Sequence, residues 1–240
     1  MDIVRTKDGK NKSFKFELNG VGRWIVDEIF YSQAYTPRIN RKLDFKIKPA
    51  DIVIDIGANV GIFSIFAANM ACKGKIYSFE PVKDNYNKLK YHIKLNGFKN
   101  IVIENKGVSD KRKKAKIYLI DENIGGHSMN KNKFDLLGET EKRLGVEMID
   151  CITLKEIFDK YKIKKCDFLK IDCEGEEFKI LHALPRNYFK RIGKISLEFH
   201  SPVIDEMKLA KHLHKQGFSV TISNFGEKLG MIFAKNRSWK

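Results

Sequence analysis

From residue 51 onward the chain alternates short apolar runs with longer amphipathic stretches. Ile52-Val53-Ile54, Lys75–Phe79, Ile101–Glu104, Asp167–Ile171 and Lys194–Phe199 read as strands. Their nearly continuous apolar character predicts strands covered on both faces. Helical patterns fall between them. Ile62–Cys72 is one. A second runs from Pro81, where a missing N–H is harmless, to Gly97, which ends it. Thr153-Leu154-Lys155-Glu156 is a capping box opening a helix to Tyr161. Glu174–Leu184 is closed by Pro185, and Ser201-Pro202 starts a helix that ends at Gly217. Phe218–Ile222 and Met231–Ala234, joined around Asn224–Gly230, predict a terminal hairpin. The alternation argues for an α/β fold with a mostly parallel sheet and helices on both faces.

Two regions depart from this rhythm. Residues 1–50 read as an N-terminal cap segment preceding one domain over 51–240. Within the cap, Phe14–Leu18 alternates like a strand and Trp24–Phe30 is amphipathic. Tyr35 and Pro37 precede a further helix, and Lys48-Pro49 introduces the first core strand. Lys116–Ile120 is an extra extended segment, and residues 121–146, with Gly125-Gly126-His127-Ser128 near their start, are the least regular part. A long irregular loop in a compact domain commonly serves function, so 121–146 is expected to form the acceptor side of a site. His127 would swing over the acceptor; a solvent-exposed loop histidine is the alternative.

The candidate chemistry gathers at the strand ends. Asp55-Ile56-Gly57-Ala58-Asn59-Val60-Gly61 is a glycine turn between the first strand and its helix, a place where backbone approaches a ligand closely. Glu80 ends the next strand, at the distance where a carboxylate holds two ribose hydroxyls. Asn59 stands where a dinucleotide site would want glycine, and Asp55 would repel a pyrophosphate. A cationic adenosyl ligand suits both carboxylates, which points to S-adenosylmethionine. The alternative is a Rossmann-type turn with another ligand or none.

These motifs, with Phe79-Glu80-Pro81 and Leu169-Lys170-Ile171-Asp172-Cys173-Glu174-Gly175, resemble those of FkbM-type S-adenosylmethionine-dependent methyltransferases, from about Tyr35 to His200. The Lys-x-Asp-x-Glu-Gly block is the more specific. The resemblance implies a class I methyltransferase (Rossmann-like) fold: seven strands in the order 3-2-1-4-5-7-6, the last antiparallel. It also implies O-methylation of a sugar, nucleotide sugar or related small metabolite. It further implies a cap closing over the cofactor, with Tyr35 as a contact. Cofactor contacts are thus expected at Asp55, Gly57, Ala58, Asn59, Gly61, Glu80, Pro81, Lys106, Gly107 and Tyr35, with Asn105–Asp110 walling the adenine.

In such sheets ligands sit beyond the carboxyl ends of the strands, where the order reverses. A hydroxyl acceptor needs a base, a cation or a metal nearby. Period-two alternation puts Lys170 and Asp172 on one side of their strand, and Glu198 and His200 on one side of theirs. Asp172 is the first choice for touching the methionine end or the acceptor. Lys170, Glu174, Glu198 and His200 complete the catalytic candidates. Structural salt bridges are the alternative for each. Asp172, Glu198 and His200, with Glu174, could bind Mg²⁺, Mn²⁺ or Fe²⁺; whether they converge stays open. His92, His182, His212 and His214 are assigned no role.

Bulk properties narrow this further. With 240 residues and 42% hydrophobic content, one sizeable core is expected. No apolar run is long enough to span a bilayer, and the first residues carry no apolar signal region, so the chain reads as cytoplasmic. Cys72, Cys151, Cys166 and Cys173 lack C-x-x-C spacing and read as reduced, buried thiols rather than a disulfide or zinc site. A net charge of +16 invites an RNA ribose 2′-O-methyltransferase reading, which Lys170, Asp172 and Glu198 also fit and which requires a basic stripe beside the crevice. The dense blocks Lys111–Lys114 and Lys162–Lys165 otherwise read as solvated surface. A non-catalytic adenosine-ligand module ranks last, because it would predict loss of the strand-end carboxylates.

Overall fold

The computed structural model describes residues 2–9, 11–18, 22–37, 44–120, 126–130, 143–200, 203–226 and 229–239. Its frame is a seven-stranded sheet of β3 (Ile52–Ile56), β4 (Lys75–Phe79), β5 (Ile101–Glu104), β9 (Cys166–Ile171), β10 (Ile192–His200), β11 (Phe218–Asn224) and β12 (Leu229–Asn236). The spatial order is β5-β4-β3-β9-β10-β12-β11. All neighbours are parallel except β12, which runs against both β10 and β11. This is the expected order 3-2-1-4-5-7-6. Its direction of winding reverses between β3 and β9, so the crevice lies there.

Alternation along the strands sorts side chains to two apolar layers. Ile54, Ile56, Tyr77, Phe79, Leu169, Ile171, Ile195 and Leu197 pack with the helices Leu154–Lys160, Glu177–Ala183 and Glu206–Lys215. Val53, Ile76, Phe168, Met231 and Phe233 face the other way, against the helix Ile62–Met70 and the N-terminal segment. That segment contributes Phe14, Phe16, Val26, Phe30 and Phe45 to the same layer. Its elements are the hairpin β1 (Asp2–Lys7) and β2 (Ser13–Leu18), the helix Gly22–Asp27 and a π-helical turn Glu28–Ser32.

The same alternation carries a polar row onto the N-terminal face. Ser78, Asp55, Lys170 and Ser196 are cross-strand neighbours through β4, β3, β9 and β10, and all four are buried. Asp172, Glu198 and His200 continue this row toward the carboxyl ends.

A second sheet, β6 (Gly107–Ser109), β7 (Lys113–Ile120) and β8 (Arg143–Thr153), has the order β6-β8-β7. The sequence predicts Asn105–Asp110 as a strand tip and 121–146 as the least regular part of the chain. Gly107–Ser109 instead pairs with Cys151–Thr153, and Arg143 onward is strand. Helix starts also differ. Val82 stays extended because its N–H is held by Glu80, so the helix begins at Lys83 rather than Pro81. Glu174–Glu176 form a turn before the helix Glu177–Ala183. The last helix starts at Glu206, with the Asp205 side chain accepting from Lys208 N–H; Ser201-Pro202 lie outside the described residues, as does the helix expected after Pro37 through residue 43. Cys72 is exposed and Cys173 half-buried, while Cys151 and Cys166 are buried. No described helix is long and apolar enough to cross a membrane.

His92 ties the N-terminal hairpin to the glycine turn. It is fully buried; Nδ1 stands 2.7 Å from the Val60 carbonyl, and Nε2 accepts the Glu17 N–H at 2.9 Å. Accepting the Glu17 N–H uses the neutral ring with its proton on Nδ1; the Glu17 carbonyl, 3.2 Å from Nε2, would favour a second proton there, and burial outweighs it. Burial lowers the His92 pKa below its ordinary 6.5. An unfolded chain therefore takes up a proton that the folded one refuses, so stability is full above pH 6.5 and falls as pH drops below it. Thermal unfolding from pH 8 to 5 should show this slope. His92→Gln should cost about 1–2 kcal/mol at pH 8 and flatten the slope.

Candidate active site

The glycine turn sets the site's floor. Gly57 has φ +74°, and a Cβ there would stand 1.6 Å from the Asp172 carbonyl oxygen. Only glycine lets β3's exit lie against β9's exit. Gly57 and Ala58 donate their N–H groups to the Phe79 carbonyl, and Asp172 donates to the Ile56 carbonyl. The loop after β9 is held from beneath by Glu177, whose carboxylate accepts the N–H groups of Cys173 and Gly175 at 3.0 and 2.9 Å. Glu174 takes a left-handed conformation (φ +59°), and its carbonyl accepts the Ser128 hydroxyl at 2.5 Å. Sequence reasoning missed Glu177; its only signal was the acidic run before a helix.

Lys170 occupies the centre. Its Nζ donates to the Gly57 carbonyl at 2.7 Å and lies 3.4 Å from Asp55 and 3.3 Å from Asp172. It also sits over the rings of Tyr35 and Phe63, at 5.2 and 5.9 Å from their centroids. Burial alone would lower its pKa, but Asp172 and Asp55 outweigh this and hold the ammonium charged. Asp55 is fully buried; Ser64 donates to it at 2.6 Å. Burial raises its pKa, and Lys170 and Ser64 pull it back. Asp55 therefore faces Lys170 and lines neither cavity, contrary to the expectation that it would face a cationic ligand.

Two adjoining cavities flank the turn. The first is lined by Glu80, Pro81, Val82, Asn85, Gly107, Val108, Ile117, His127 and Met129. Glu80 is buried, and its two oxygens accept the N–H groups of Asn59 and Val82 at 2.8 and 2.9 Å. Burial lifts its pKa to about 7 against those hydrogen bonds. The second is lined by Trp24, Ile25, Glu28, Ile29, Tyr35, Ala58, Phe63, Lys170, Glu198 and His200. Gly57, Asn59, Asp172 and Glu174 line both. Asn59 Oδ1 is buried there without a hydrogen-bond partner, an acceptor positioned for a ligand donor.

Most of the expected side chains converge. The Tyr35 hydroxyl lies 2.9 Å from Asp172 and 2.8 Å from Glu198. His200 Nδ1 is 3.3 Å from Glu174, and its Nε2 is 3.8 Å from Glu198. Lys106 turns away, 3.9 Å from Asp150 of β8, and lines neither cavity; Gly61 lies behind the turn as the helix cap. The His127 Nδ1 accepts the Ile120 N–H at 3.3 Å, and the ring lines the Glu80 cavity instead of the second one. Thus the described part of 121–146 borders the first cavity, and the N-terminal segment borders the second. Among the described residues no three His, Cys, Asp or Glu side chains are arranged to hold a metal ion, Asp172, Glu198 and His200 included. An ion at Asp172 would confront the Lys170 ammonium.

Residues 55–225 match the sequence model of the Methyltransferase FkbM domain. The curated protein Methyltransferase sdnD of Sordaria araneosa is 23% identical over 223 residues, 83% of each chain. AMB antimetabolite synthetase AmbE of Pseudomonas aeruginosa is 22% identical over 232 residues, 83% of this chain but 11% of its own length. A solved FkbM methyltransferase from Methylobacillus flagellatus superposes with a TM-score of 0.57 at 13% identity, over 89% of this chain and 53% of that one. A putative rRNA methylase from Clostridium thermocellum gives 0.50 at 11% identity, over 81% and 91%. The chain thus spans about half of the first structure, and the two structures share its fold.

Removing the central ammonium should expose its role. Lys170→Met leaves Asp55 buried without its cation, at a cost of about 3–5 kcal/mol in urea denaturation. Adding Asp55→Asn should recover a large part of that loss, and simple additivity of the two changes would show that the pair is not coupled.

Proposed function

The chain belongs to the FkbM methyltransferase family and is an S-adenosylmethionine-dependent methyltransferase, and we propose that its two cavities divide one O-methylation between them. The first cavity would take the donor's adenosine, with Glu80 accepting the ribose hydroxyls. Asn59 and the glycine turn would hold the donor's methionine end at the junction. The second cavity would take a hydroxyl acceptor, a sugar or related small metabolite. The observation that carries this reading is the meeting of Glu80's cavity and the Asp172–Tyr35–Glu198 cavity at Gly57, Asn59, Asp172 and Glu174.

Bound there, S-adenosylmethionine supplies an electrophilic methyl group on a positively charged sulfur. The chain's own residues supply the rest. Asp172 and Glu198 would orient the acceptor hydroxyl and take its proton. Trp24, Ile25, Ile29 and Phe63 would keep water from the reacting oxygen. On this reading residues 1–50 act as a cap on the acceptor side, and 51–240 form the catalytic domain. The described lining of the acceptor cavity is acidic, with Lys170 as its one cation. The block Lys162–Lys165 precedes β9 and so lies at the amino ends of the strands, away from the crevice. Both points favour a small acceptor over RNA.

Glu80→Ala should weaken S-adenosylmethionine binding by about 1–3 kcal/mol, since charge-assisted hydrogen bonds to the ribose are lost. Ribose hydroxyls favour the ionised carboxyl, whose free-state pKa is about 7. Affinity should therefore fall as pH drops through 7 and level off well above it. Calorimetric titration checks both; unchanged affinity in the variant would remove Glu80, and with it the assignment of the first cavity.

A further inference from the structure

The Tyr35 hydroxyl contacts two carboxyl groups at once: Asp172 Oδ2 at 2.9 Å and Glu198 Oε2 at 2.8 Å. A phenol has one hydrogen. Directed at one carboxylate, it leaves its own oxygen facing the other, and two oxygens in such contact repel unless a hydrogen lies between them. One carboxyl must supply it. Asp172 already has an ion-pair partner in the Lys170 ammonium at 3.3 Å. Glu198 has no comparable partner. Its parallel neighbour β9 offers Lys170 only beyond Asp172, and β12 places the apolar Met231 opposite it. The turn after β9 adds Glu174, and the cap adds Glu28 and Tyr35; His200 Nε2 stands 3.8 Å away on its own strand. Among the described residues no lysine or arginine stands within ion-pair distance of Glu198, and the Lys170 ammonium acts on it only from farther off, after Asp172 and Asp55. Burial, then Asp172 and Glu174, push its carboxyl toward the protonated form as well.

We propose that Glu198, Tyr35 and Asp172 form a chain holding one shared proton, which leaves when the cationic donor binds and returns from the acceptor hydroxyl. This rests on the assignment of the junction between the cavities to the donor's methionine end and of the second cavity to the acceptor. In the resting chain Glu198 donates to the Tyr35 oxygen and Tyr35 donates to Asp172, which Lys170 supports. Binding places a positive charge beside three carboxyl groups, and the Glu198 proton passes to solvent. Glu198 is then an anion in a poorly solvated place, a stronger base than an exposed carboxylate. It accepts the hydroxyl proton as the oxygen–carbon bond forms and the carbon–sulfur pair stays on sulfur. The sulfur is then neutral and the resting protonation is restored. Tyr35 is a positioning residue in this account, not the cofactor contact suggested by its place in the cap.

The test compares S-adenosylmethionine with S-adenosylhomocysteine, which has the same ribose but no sulfonium charge. Titration calorimetry at pH 7, in buffers of different ionisation heat, counts protons released. Any share from Glu80 is common to both ligands and cancels in the difference. The wild-type chain should release roughly one more proton with S-adenosylmethionine, and Glu198→Gln should abolish that difference. Infrared spectra of the ligand-free protein should show a protonated-carboxyl carbonyl band that disappears in Glu198→Gln, shifts in Tyr35→Phe, and is lost when S-adenosylmethionine binds. The band in the wild-type chain serves even if a variant fails to fold. Equal release by the two ligands, or a band untouched by donor binding, overturns the shared proton while leaving the methyltransferase assignment standing. Failure of either ligand to bind overturns both.

Discussion

One buried ammonium organises the crevice. Lys170 reaches from β9 to the Gly57 carbonyl, to Asp55 on β3 and to Asp172 at its own strand's end. A charge so deep persists only because its partners are in place before any ligand arrives. It joins the two strands at the topological switch, gives Asp55 a reason to be ionised, and fixes Asp172 at the edge of the cavity. Tyr35 and Phe63 pack their faces toward it, so the N-terminal segment is also registered on this cation. Without it, the carboxyl groups that line the second cavity would have no common reference point.

Much of this was legible along the chain because it depends on short-range pattern. The strand order followed from the alternation of strand and helix together with the family resemblance. Glu80, the glycine turn and the same-side placement of Lys170 with Asp172 came from spacing. What was not legible depends on register across long separations. Asp55 meets Lys170 because β3 pairs directly with β9, and nothing near Asp55 in sequence announces it. Tyr35 meets Asp172 and Glu198 across 137 and 163 residues. The helix expected from Pro81 starts later because a side chain, Glu80, captures the backbone N–H of Val82. The small sheet was hidden because β8's pairing with β6 and β7 brackets a long insertion.

The charge of the molecule and the charge of its site have opposite sense. The chain carries +16 overall, while Glu28, Asp172, Glu174 and Glu198 surround a single lysine in the second cavity. Surface charge is screened within about 8 Å at physiological salt, so the local carboxyl groups decide what a ligand meets there. Lysines distributed over the exterior govern solubility and encounter instead.

The two walls of the reaction space have separate origins in the chain. Glu80, Asn85 and the residues around His127 enclose the side next to the second strand's exit, whereas Trp24, Ile25, Glu28 and Ile29 come from the segment ahead of the sheet. Mutation in that leading segment can therefore remodel one wall while the opposite one is inherited unaltered. On the proposed division of the two cavities, a lineage built on this plan is free to diversify in what it modifies without relearning how to hold its reagent.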